Sequence, residues 1–283
     1  MTLPLVVGVD GSDPSLVAVD WAADEAVRHG LTLRLVHASL WERYAGTVPT
    51  LGAGRFSERV LAEHLVASAA ERAARRAPGL RITTDILPAE AVDGLLHEGA
   101  NAHALVVGDR GRGELKGLLL GSVSLGVAAR ARCPVIVVRG DDAGVVGLHE
   151  RILLGVGDAV TGERAADFAV REAETRDCAL DAVRAWRRPA PIGEAPDDAE
   201  RRATALLDEA LRAPLAAHPG VRVRRTTVEG PARTVLVDRS AAADLVVLGA
   251  RRRHGHFGLQ LGRVGHTLLH HAQCPVAIVP QLS

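Results

Sequence analysis

Residues 106 to 124 read VVGDRGRGELKGLLLGSVS: an apolar run stops at a glycine, passes through a loop with further glycines, and re-enters a helix-like segment. Two residues separate Gly108 from Gly111, nine separate Gly111 from Gly121, and Ser122 follows directly. A residue without Cβ lets backbone amides close on a phosphate. The helix that follows offers free N–H groups and the positive end of its dipole to the same anion, and Ser122 adds a hydroxyl donor. Glycines also serve tight turns between strand and helix, but four placed residues at the end of a Val-rich strand favour an anion ligand. Other phosphate loops fit worse. G-x4-G-K-[ST] is missing, and Gly111-Arg112-Gly113-Glu114-Leu115-Lys116 fails the last glycine of G-x-G-x-x-G.

Outward from this stretch, apolar runs alternate with helical patterns. Leu5 to Val9 reads as a strand closed by Asp10-Gly11-Ser12-Asp13-Pro14, and Ser15 to Arg28 as a helix. Leu33 to Ala38 is a second strand. The irregular segment Ser39 to Arg55 reads as a flap over the strand ends, and Phe56 to Ala77 as a long helix stopped by Pro78-Gly79. Leu80 to Leu87 alternates like a strand near a sheet edge. Ala91 to Gly99 is a short helix, Ala104 to Gly108 the fourth strand, Ser122 to Ala131 a helix and Pro134 to Val138 the fifth strand. No hairpin joins consecutive strands, so the sheet is expected to be parallel and doubly wound. Its ligand belongs outside the carboxyl ends of the strands, where Asp10 and Gly108 both fall.

The pattern then restarts. Gly140 to Glu150 lacks periodicity and reads as a linker, dividing the chain into domains 1–139 and 151–283. Arg151 to Gly155, Glu163 to Arg176 and Leu180 to Ala185 repeat strand, helix, strand. Arg132-Cys133-Pro134-Val135 recurs as Gln273-Cys274-Pro275-Val276 before the final strand, Val276 to Val279. A chain of 283 residues suits two such cores.

At Gly108, Gly111, Gly121 and Ser122 the chain resembles the universal stress protein family, whose nucleotide-binding members carry Gly-x2-Gly-x9-Gly-Ser/Thr after the fourth strand. LVVGVDGSDPS stands where the family has its first strand and acidic residue. The resemblance implies two tandem five-stranded sheets of the adenine nucleotide alpha hydrolase-like α/β fold, with strand order 3-2-1-4-5 and a crevice between strands one and four. It also implies a regulatory module of the stress response that binds ATP, with or without Mg²⁺, or a related adenine nucleotide. Asp10 would take the ribose hydroxyls, the Ala38 backbone would read the adenine edge, and Gly108, Gly111, Gly121 and Ser122 would hold the phosphates. Arg110 and Arg112 flank Gly111 and would either neutralise phosphate charge or stand as solvated loop arginines. Family members associate through their final strands, here Pro134 to Val138 and Val276 to Val279, which leaves a monomer with that pairing satisfied internally or a homodimer of chains.

The second copy departs from this pattern. Gly249 and Gly262 match Gly108 and Gly121, but Arg252 replaces Gly111, Arg263 replaces Ser122, and Gly157 stands in place of Asp10 with Asp158 one residue later. Its site is expected to be altered or empty.

Charge is balanced, with 34 basic and 34 acidic residues, so no global field argues for a nucleic acid or a membrane surface. The run Arg251-Arg252-Arg253-His254 is a short basic loop and a weak footprint for nucleic acid. Hydrophobic residues make up 47% and aromatics 2%, so the cores must be built from Ala, Val and Leu. Cys133, Cys178 and Cys274 form no C-x-x-C pair and suit a reducing cytoplasm; no export signal or membrane-length apolar run is visible. His266 and His270 share a helix face without an evident third ligand, so no metal site is expected. No spaced carboxylate pair or Ser-His-Asp set accompanies the glycine loop, so no catalytic residue is assigned; slow nucleotide hydrolysis or phosphotransfer in the same cleft is the alternative.

Overall fold

A computed structural model describes residues 2–40, 53–111, 120–157, 159–188, 196–251 and 261–281. The chain divides into two compact units, residues 1–138 and 139–283.

The first unit runs β1 (Leu5–Gly8), α1 (Asp13–His29), β2 (Leu33–Ala38), α2 (Ala53–Arg76), β3 (Ile82–Leu87), α3 (Ala91–Gly99), β4 (Ala104–Gly108), α4 (Ser122–Arg130) and β5 (Val135–Val138). Its strands lie in the order β3-β2-β1-β4-β5, every pair parallel, as the resemblance implies. Short apolar runs form these strands because both faces are covered: all of β4 and β5 is buried, and Leu5, Leu33, Leu35 and Leu105 are almost wholly so. β3 lies at the end of that order and keeps two exposed threonines, Thr83 and Thr84, which is why its pattern alternates.

Helix α1 begins where Ser12 accepts from the Ser15 amide and ends at Gly30, whose φ of 62° is left-handed. Ala18, Val19, Ala22, Ala23 and Ala26 on this helix are buried. Two forked ion pairs one helical turn apart tie α2 to it: Arg72 to Asp20 at 2.6 and 2.8 Å, and Arg76 to Asp24 at 2.7 and 2.9 Å. Helix α2 begins at Ala53, and residues 41–52 of the expected flap lie outside the described residues.

The second unit opens with α5 (Asp142–Val146) and continues β6 (Arg151–Gly155), α6 (Ala159–Thr175), β7 (Ala179–Trp186), α7 (Pro196–Ala217), β8 (Val223–Glu229), α8 (Ala232–Ser240), β9 (Leu245–Arg251), α9 (Arg263–His271) and β10 (Val276–Gln281). The order β8-β7-β6-β9-β10, again parallel, repeats that of the first unit.

Residues 140–150, read as a linker, are built into this unit. The Asp141 side chain accepts from the Gly144 amide and caps α5. The Asp141 amide donates to the Gln273 carbonyl at 3.0 Å, and Gly144 sits so close to Cys274 that an added Cβ would lie 2.8 Å from the Cys274 Cβ. Farther along, the Asp244 carboxylate accepts from the His149 and Arg151 amides. A five-residue helix is too short to show a period. Among the described residues, no helix is long and apolar enough to cross a membrane.

Candidate nucleotide cleft

β1 ends at Gly8, and the Val9 amide still donates to the Val36 carbonyl of β2. Asp10 follows. Its Oδ1 accepts from the Ser12 amide at 3.0 Å and from the Ser12 hydroxyl at 2.6 Å, a turn that Gly11 makes accessible with a φ of 78°. The other oxygen, Oδ2, faces Gly111: a Cβ built on Gly111 would stand 2.5 Å from it. The ends of β1 and β4 therefore bring Asp10 and Gly111 together at one sheet edge, although about 100 residues of chain separate them.

Gly108 is required by the fold itself. A Cβ there would lie 2.6 Å from the backbone of Pro14, so only a glycine lets β4 end against the first turn of α1. Gly121 is different. It caps α4 with φ −73° and ψ 149°, which any residue adopts, and a Cβ would meet its neighbours only at ordinary contact distances of 3.4 Å and beyond. Its amide donates to the Asp109 carbonyl at 2.7 Å. The N-cap is a glycine and α4 has no side-chain cap bond among the described residues, so the amides of its first turn point from the helix end.

Ser122 is exposed at the first position of α4, and Ala38 ends β2, half-buried, at the same edge. Arg110 is exposed, its Nε 3.5 Å from the carboxylate of Asp109. Arg112, Gly113 and Lys116 lie outside the described residues.

Two residues the sequence did not single out also shape this edge. The Ser124 hydroxyl, one position past the Ser122–Val123 pair, is buried and donates to the Gly108 carbonyl at 2.6 Å. On β2, His37 Nδ1 is 2.7 Å from the Val9 carbonyl. The only trace of either in the sequence is a polar residue inside an apolar run.

The second unit keeps the frame and changes the edge. Gly157 follows β6 where Asp10 follows β1, without a carboxylate, and Asp158 lies outside the described residues. Strand β9 does not stop at Gly249: it pairs on through Ala250 and Arg251 with Pro280 and Gln281, whereas β4 breaks off at Gly108. Arg263, exposed, begins α9, and Gly265 replaces the buried Ser124. Arg252, Arg253 and His254 lie outside the described residues. On α9 the rings of His266 and His270 lie tilted against each other with centroids 4.5 Å apart. Burial lowers the His270 pKa, and the charges of His266, His271 and Arg139 lower it further.

The model of the universal stress protein family matches residues 1–139 and again residues 149–280. Over 286 residues, 98% of this chain and 96% of the relative, the sequence is 33% identical to a universal stress protein of Mycobacterium tuberculosis. One from Mycolicibacterium smegmatis is 32% identical over 97% of this chain and 96% of its own. Among solved structures, that of a universal stress protein from Archaeoglobus fulgidus superposes with a TM-score of 0.73 over 99% of this chain and 98% of that one, at 17% identity, a likeness of fold.

Proposed function

We propose that this chain, which belongs to the universal stress protein family, binds an adenine nucleotide, ATP foremost, in the cleft of its first unit, and that occupancy of the cleft is its regulatory output in the stress response. The observation that carries this reading is the Asp10 carboxylate held against Gly111. A carboxylate oriented by two donors on one oxygen accepts readily from the vicinal hydroxyls of a ribose with the other. A side chain at position 111 would press on that oxygen. Gly121 supports the same reading, because among the described residues none demands a glycine there and close approach of a phosphate does. The uncapped first turn of α4 and the Ser122 hydroxyl supply donors to that phosphate, and Arg110 supplies countercharge. The Ala38 backbone is left for the base. Mg²⁺ would accompany the triphosphate as its counterion; it is not needed to explain any residue of the edge.

This is a binding module. Turnover needs a positioned base and a metal cage beyond phosphate binding, and slow hydrolysis is the rival reading. The proposed setting is the cytoplasm, where three buried, unpaired cysteines stay reduced. Denaturing the purified protein and weighing the small molecules released, followed by calorimetry with ATP, tests the assignment: one adenine nucleotide per chain is expected, and two equivalent sites or none would overturn it.

A further inference from the structure

His37 lies one residue before Ala38, and Val9 lies one residue before Asp10, so the hydrogen bond between the His37 ring and the Val9 carbonyl joins the two walls of the cleft directly. A carbonyl oxygen only accepts, so Nδ1 carries the proton and donates. Val9 is gripped from both sides of its peptide unit by β2, through its own amide to Val36 and through its carbonyl to His37.

The second unit repeats the arrangement with different chemistry. The Val156 amide donates to the Val183 carbonyl at 2.9 Å, and the Val156 carbonyl accepts from an Arg184 guanidinium nitrogen at 3.1 Å. By strand register Arg184 occupies the place of His37, since Val36 pairs with Gly8 and Val183 with Gly155. An imidazole ring and a guanidinium fork differ in shape and reach. What both units keep at this place is a side-chain donor aimed at the carbonyl that follows the first strand.

We propose that His37 is the positioning residue of the cleft: its bond to Val9 sets the distance between the Asp10 turn and the strand end at Ala38, and so the fit of a nucleoside whose sugar and base must meet both at once. This deepens the nucleotide reading and rests on it. His37 need not touch the ligand; it acts through Asp10. Without the bond Val9 loses one of its two ties to β2, and a bound nucleoside must bear more of the cost of fixing the Asp10 turn.

The test uses the full chain with His37→Phe, which keeps a ring but no donor, and His37→Arg, which imports the second unit's donor. ATP affinity is read by calorimetry, and hydrogen exchange of residues 9–15 is read without nucleotide. Loss of one net hydrogen bond predicts that His37→Phe binds ATP about tenfold more weakly. The same variant should exchange faster across residues 9–15, and His37→Arg should restore both readings. A His37→Phe variant with wild-type affinity, or a His37→Arg variant as weak as His37→Phe, overturns the proposal. Should the wild type take up no ATP, the nucleotide reading fails by itself. The exchange measurement then still decides for His37, because unchanged protection of residues 9–15 in His37→Phe would show that the bond positions nothing.

Discussion

Arg34 on β2 donates to the Glu98 carboxylate of α3 at 2.6 Å, and in the second unit the same two places hold the opposite charges, Asp181 on β7 and Arg239 on α8, meeting at 2.9 Å. Strand register fixes the equivalence, because Arg34 pairs with Val6 as Asp181 pairs with Leu153. The third member of the first cluster, Asp85, accepts from Arg34 at 2.7 Å. Its counterpart is Thr226, which has no charge to repel Asp181. Hydrogen bonding to Glu98, then the nearby negative charges of Glu98 and Asp85, raises the Arg34 pKa against the opposing effect of burial.

Reversing only one partner should therefore be costly. Arg34→Asp faces two carboxylates, and the half-buried position predicts a loss of about 1–3 kcal/mol. The triple change Arg34→Asp, Asp85→Thr, Glu98→Arg writes the second unit's cluster into the first and should recover most of that loss. Chemical denaturation of the four proteins, wild type, single, Arg34→Asp with Glu98→Arg, and triple, measures it, with the double variant falling between single and triple.

A methyl group at position 111 should be enough to injure the cleft. Gly111→Ala places its Cβ against Asp10 Oδ2, so the carboxylate must move, and ATP affinity is expected to fall by about tenfold or more. Gly111→Arg, the residue found at the second copy's position, should abolish binding, while Arg252→Ala should leave the main affinity nearly unchanged. Calorimetry of the three variants checks the order.

Alkaline pH should destabilise the protein through its thiols. Burial pushes the Cys133 thiol up to about 11 and also raises Cys178 and Cys274. With the folded value above the unfolded one, the folded state holds the proton more tightly. The stabilising contribution is full below the unfolded value near 9 and is lost as pH climbs toward 11. For Cys133 alone the loss approaches about 2–3 kcal/mol. Few other groups titrate in that window, since the chain has one tyrosine and one lysine, Lys116. Denaturant midpoints between pH 8 and 11 should fall in the wild type and fall less in Cys133→Ala.

Phosphate release should be slow beside binding. Purified protein with ATP and Mg²⁺ is expected to turn over well below about 1 s⁻¹, the low end for enzymes. Faster sustained release that disappears in Asp10→Ala, with ATP still bound, would move the protein into the enzyme class.

The central strands were legible because, like β4 and β5, they are short apolar runs covered on both faces, and because the glycine loop sits at the end of one of them. Strand order was not written in the residues; the crossovers dictated parallel pairing, and the family resemblance supplied the sequence of neighbours. Contacts that hold the edge in shape escaped for a plain reason. Ser124 reaches a carbonyl 16 residues back, His37 one 28 residues back, and Arg34 a carboxylate 64 residues away. No local pattern announces partners at such separations. The helix within residues 140–150 was not legible because five residues, capped by their own aspartate, have no period to detect.

The two ends of the glycine loop are fastened to each other. The Gly121 amide meets the Asp109 carbonyl and the Ser124 hydroxyl meets the Gly108 carbonyl, so the end of β4 and the start of α4 are held side by side. A segment anchored in this way is uncoupled in length from the scaffold that carries it: doubling it costs only about 0.6 kcal/mol of closure entropy. Lengthening the chain between Gly111 and Gly121 should therefore spare the five strands while breaking the nine-residue spacing on which the phosphate reading rests, so that folding and nucleotide affinity are separable at this one place.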